Sequence, residues 1–80
     1  MPSSLFTIDN DSTRPFSIHV EPEGFVVILQ PGEHVTVRDE YDKFCLTVRM
    51  GIDDRGATVL SIWPGDGFVG VERDGIRICN

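Results

Sequence analysis

Short apolar segments alternate with Gly, Pro and Asp punctuation along nearly the whole chain, from Leu5 to Cys79. Phe16, Ile18 and Val20 alternate with Ser17 and His19, the period-2 signature of a half-buried strand. Glu21-Pro22-Glu23-Gly24 breaks the pattern, and Phe25-Val26-Val27-Ile28-Leu29 follows as an unbroken apolar run whose β-branched content favours strand over helix. Gln30-Pro31-Gly32-Glu33 ends it, with Pro-Gly suited to the centre of a type II turn. Further strands are predicted over 5–9 and over 34–38, the latter with Val35 and Val37 on one face. Phe44, Leu46, Val48 and Met50 alternate with Cys45, Thr47 and Arg49, which predicts a strand with one inner face. Residues 51–56 read as a turn into a strand over 57–63, whose two faces are less distinct. The segments 68–72 and Ile76–Cys79 are joined by Asp74-Gly75, a hairpin signal because a type I′ turn requires positive φ at both positions. No window shows the i, i+3, i+4, i+7 apolar recurrence of an amphipathic helix.

Seven to eight strands in one domain spanning 1–80 predict an all-β fold, a small antiparallel sandwich or a partly open barrel. The short connections make that fold meander-rich, with most sequence neighbours pairing in space. The alternation in 25–29 then raises a question. If Phe25, Val27 and Leu29 face the core, Val26 and Ile28 face the other way. Either another segment such as 57–63 covers them internally, or they form a contact surface that a second chain buries.

The arrangement Ile8, Asn10, Ser12, Pro15, then Glu21-Pro22-x-Gly24, Pro31-Gly32-Glu33, Trp63 and Asp74-Gly75 resembles a group of short, uncharacterised bacterial all-β proteins. That resemblance covers most of the chain through turns and strand edges, and it implies no activity. The apolar run, Pro-Gly-Glu and alternating strand over 29–37 also resemble a unit of immunoglobulin-like sandwiches, which bears on fold alone.

Charge narrows the partners. Seven Lys and Arg against thirteen Asp and Glu give a net charge of −6, a field that repels phosphate backbones and anionic lipid headgroups. The cations Arg14, Arg38, Lys43, Arg49, Arg55, Arg73 and Arg77 are scattered, so neither nucleic acid nor membrane is an expected partner. Met1-Pro2-Ser3-Ser4 lacks a basic n-region, and no run approaches the ~20 apolar residues of a membrane span, so a cytoplasmic setting is the expectation, and the resemblance implies a bacterial one. There Cys45 and Cys79 read as free thiols packed as small apolar groups, with a disulfide as the alternative.

Candidate chemistry is sparse. Pro31-Gly32-Glu33-His34 is similar to part of a cupin metal motif, yet only His19 and His34 are present to act as imidazole ligands. Asp9-Asn10-Asp11-Ser12-Thr13 begins like a calcium loop but has Arg14 and Val20 where the loop needs Gly and a bidentate Glu. It reads better as a turn of backbone-bonding side chains, as does Asp39-Glu40-x-Asp42. No nucleophile elbow or phosphate loop is present, and neither catalysis nor a cofactor is expected. Trp63, with Tyr41 and Asp66, is a possible sugar platform; the alternative is a Trp closing the end of the core. The expectation is a non-catalytic module that binds a protein or itself, ahead of a carbohydrate-binding module and a cupin-like metal site.

Overall fold

The computed structural model describes residues 4–39, 46–64 and 69–79. These contain eight strands and no helix: β1 (Ser4–Asp9), β2 (Phe16–Val20), β3 (Phe25–Leu29), β4 (His34–Asp39), β5 (Thr47–Ile52), β6 (Thr58–Trp63), β7 (Val69–Arg73) and β8 (Ile76–Cys79). They form two four-stranded sheets, ordered β1-β4-β7-β8 and β3-β2-β6-β5. Neither sheet closes on itself, so the architecture is a sandwich and not a barrel. No described helix is long and apolar enough to cross a membrane.

The hairpins β2-β3, β5-β6 and β7-β8 pair as consecutive strands, while the other connections pass between the sheets. The fold is therefore less of a meander than short connections suggest. β2 and β6 run parallel, with Ile18 opposite Leu60 and Val20 opposite Ile62. That central pairing places four inward side chains side by side, and their burial outweighs the local preference for hairpins. Asp74 and Gly75 both take positive φ, at 53° and 80°, as the type I′ hairpin turn requires.

Alternation assigns the core. Ile18, Val20, Val27, Leu29, Leu60 and Ile62 from one sheet meet Val35, Val37, Val69 and Val71 from the other, with Phe6, Ile8, Phe16, Leu46 and Ile78 packed around them. Two expectations need correction. Phe25 begins β3 at the margin of the opposing sheet and stays exposed, unlike Val27 and Leu29. β5 starts at Thr47 and continues through Gly51 and Ile52, which the Gly-Ile-Asp-Asp string had suggested were turn. Its Val48 and Met50 lie on the inner side, opposite Ile62 and Leu60, yet they are exposed because β5 is a sheet edge. Phe44 and Cys45 fall outside the described residues, and with them the question of the thiols.

The turns are held by side chains. Asn10 is the one buried polar residue among those described. Its amide nitrogen donates to the carbonyls of Arg14 (2.9 Å) and Leu29 (2.8 Å), and its oxygen accepts from the Ser12 backbone N–H (3.0 Å) and hydroxyl (2.6 Å). Its backbone also exchanges hydrogen bonds with the turn between β3 and β4, donating to Glu33 O and accepting from Gly32 N. The calcium-like string is thus a pinned turn.

Asp53 does the same for the β5-β6 connection, where one carboxylate oxygen accepts from the backbone N–H of Arg55 (2.8 Å) and of Ala57 (3.0 Å). The bond from Ala57, then that from Arg55, holds the Asp53 carboxyl below its ordinary 3.8, with the Arg55 charge adding in the same direction. A depressed folded-state value means this contribution is complete above the unfolded-state pKa and lost as pH falls through the folded one. The amide resonances of Arg55 and Ala57 should therefore titrate with a midpoint below 3.8, and Asp53→Asn should abolish that titration in an NMR pH series.

Candidate functional site

The sandwich has two outer faces of different character. On the β1-β4-β7-β8 sheet, Arg38 pairs with Glu72 at 3.1 Å and Arg77 lies 3.9 Å from the same carboxylate. The Arg77 guanidinium lies over Gly70, 3.2 Å from where a Cβ would be. Thr7 and Thr36 stand opposite each other nearby. Apart from Leu5, 53% exposed beside Arg38, the described residues of this face are charged, polar or glycine.

The β3-β2-β6-β5 sheet presents a different surface. Because Ile18, Val20, Val27, Leu29, Leu60 and Ile62 point inward, the intervening residues point out. Register aligns them in rows, Val26 beside His19, Ser61 and Arg49, and Ile28 beside Ser17, Val59 and Gly51. Trp63 lies on the same face, opposite Thr47. Val26, Ile28 and Trp63 are 46%, 51% and 44% exposed, which rules out internal cover for the first two. The segment proposed as their cover, 57–63, contains β6 of the same sheet and cannot lie across it.

Trp63 therefore stands on an open face and does not close the core. Tyr41 and Asp66, its proposed companions, lie outside the described residues. Beside it the sheet dips into a groove of about 370 Å³ lined by His19, Arg49, Gly51, Asp53, Val59 and Ser61. Gly51 accounts for the dip, since a Cβ there would meet nothing within 4 Å. His19, which lines the groove, has its Nε2 3.4 Å from the Ser17 Oγ.

The remaining candidates do not converge. His19 is on β2 and His34 begins β4, in different sheets. Among the described residues no three His, Cys, Asp or Glu side chains group as metal ligands. Glu33, His34 and Arg73 do share a shallow pocket, but there Arg73 serves the fold. Its guanidinium donates to the Ile28 carbonyl on the edge of β3 (3.2 Å) and lies 3.9 Å from Glu33, tying one sheet to the other.

Sequence reasoning reached Val26, Ile28 and Trp63 by separate routes, and the parallel β2-β6 pairing brings them onto one face. It missed Val59, Ser61 and the Gly51 dip, because the alternation in 57–63 is masked by outward-facing Val59 and Trp63. No protein-family model matches this chain, and neither a curated protein nor a solved structure matches it.

Proposed function

We propose that this protein is a non-catalytic interaction module that binds a protein partner through the outer face of the β3-β2-β6-β5 sheet. One observation carries the reading: Val26 and Ile28 are half exposed on the same face as Trp63, while the opposite face of the sandwich carries charge pairs and, among its described residues, one exposed large apolar side chain, Leu5. Exposed apolar side chains clustered on one side of a small domain mark a surface that gains from being covered. The aromatic ring adds a large contact area at small entropic cost, as binding hot spots do.

Trp63 also supports a second reading, carbohydrate binding, in which its exposed ring stacks on a pyranose and the polar groups of the groove address the hydroxyls.

The double substitution Val26→Lys with Ile28→Lys separates surface from core. The melting temperature should stay within a few degrees of the parent, since strands accept Lys on a solvated face. A photo-crosslinking residue at Ile28 should yield a defined protein adduct in cells that the same residue at Thr7 does not, and the Lys pair should abolish capture through a crosslinker at Val59. Equal adducts from both faces would refute the proposal. Glycan binding lost on Trp63→Ala would replace it with the second reading.

A further inference from the structure

A different part of the same sheet carries a second inference, independent of the face just described. Among the described residues β5 ends the sheet, and its backbone has a partner on one side only. Strand N–H and C=O groups point alternately to the two sides. Asp53 N donates to Ala57 O on the β6 side, which fixes the phase: Thr47, Arg49 and Gly51 bond β6, and Val48, Met50 and Ile52 present their groups to the open edge. The side chains of those same three residues form an apolar row on the inner side of the sheet, 48%, 73% and 75% exposed. Edge strands are ordinarily protected by an inward charge, a Pro or a covering group. The edge of β3 has the Arg73 guanidinium on its Ile28 carbonyl. Among the described residues no side chain bonds the open edge of β5, and the strand has neither Pro nor an inward-facing charge.

We infer that β5 pairs antiparallel with β5 of a second copy of this chain, making one continuous sheet across the dimer. The sequence of the strand selects this occupant by matching itself. With the two-fold axis at Met50, Met50 faces Met50 and Val48 faces Ile52, so all three open-edge residues of each copy find backbone partners. On the other face Arg49 stands opposite Gly51 and diagonal to Asp53 of the second copy, within reach of an opposite charge. Sliding the register one way sets Arg49 against Arg49, a like-charge pair; sliding it the other way sets Val48 against Asp54. Only the central register satisfies backbone, apolar row and charge together. Two strands of this length bury less than about 1,200 Å², so the dimer is reversible and concentration dependent.

Sedimentation velocity on the full chain from micromolar to millimolar concentration should show the mass rising from one chain toward two. Met50→Lys places two like charges on the axis and should hold the protein monomeric throughout, with its circular dichroism unchanged because Met50 is exposed. With Cys45 and Cys79 replaced by Ser, Met50→Cys should oxidise to a covalent dimer at least about tenfold faster than Ile76→Cys, an equally exposed position on β8, since pairing raises the local thiol concentration. The Cα separation of facing strand residues suits a disulfide. A chain monomeric at every concentration, a dimer that Met50→Lys leaves intact, or equal crosslinking at the two positions would each overturn the inference. The crosslinking test stands even if the Lys variant fails to fold.

Discussion

Replacing Asn10 by Ala should destabilise the domain by about 3 kcal/mol, a large share of the stability available to so short a chain. The side chain satisfies four polar groups at once, two carbonyls and two donors, drawn from its own turn and from the end of β3. Ala removes all four bonds from a position that the buried Asn10 had closed to water, and a buried polar group that loses a partner costs more than a hydrogen bond normally contributes. Asn10→Asp should be worse, because a carboxylate brings negative charge against the two carbonyls that now receive N–H bonds. Ser12→Ala removes the hydroxyl's bonds to Asn10 and Arg14 in an exposed turn but keeps the bond from the Ser12 N–H to the Asn10 oxygen, and its cost should be about 1 kcal/mol. Urea denaturation of the three variants tests the order. Equal midpoints would show that the turn is not a structural pin.

Ile18→Ala should be the most damaging apolar truncation, at about 4 kcal/mol. Ile18 is fully buried at the centre of the sandwich, flanked in its sheet by Val27 and Leu60 and facing the other sheet. Removing its outer atoms leaves a cavity that two rigid sheets close poorly. Val26→Ala removes fewer atoms from an exposed position of the same hairpin and should cost less than about 1 kcal/mol. A thermal melt of the pair measures the difference between the faces of β2-β3; comparable losses would mean that Val26 is covered.

Much of this architecture was legible in single residues. The alternation of Phe16, Ile18 and Val20 located β2, and Asp74-Gly75 located a hairpin whose backbone has the required handedness. Reading β5 was harder. Its apolar alternation is as regular as that of β2, but regularity identifies a shared face without revealing whether anything lies across it. Val48 and Met50 share the inner side with Ile62 and Leu60 and are exposed all the same, because coverage depends on which strand ends the sheet. Gly51 was misleading for a related reason. In isolation glycine punctuates a chain, whereas here it continues a strand and shapes the face above it. Trp63 and Val26 could not be placed together from sequence, since their common face depends on a parallel pairing between segments some forty residues apart.

That parallel pairing also sets the order in which the molecule can assemble. β2 needs β3 on one side and β6 on the other, and the second partner arrives only after the chain has crossed to the other sheet for β4 and back again. The β2-β3, β5-β6 and β7-β8 hairpins can form early and independently, but each remains marginal until the long closures are made. Loop-closure entropy is then spent before the core contacts return it, so docking of the β5-β6 hairpin onto β2 should limit the folding rate, which stopped-flow refolding measures. Substitutions at Leu60 and Ile62 should slow folding, whereas those at the β7-β8 turn should act mainly on unfolding.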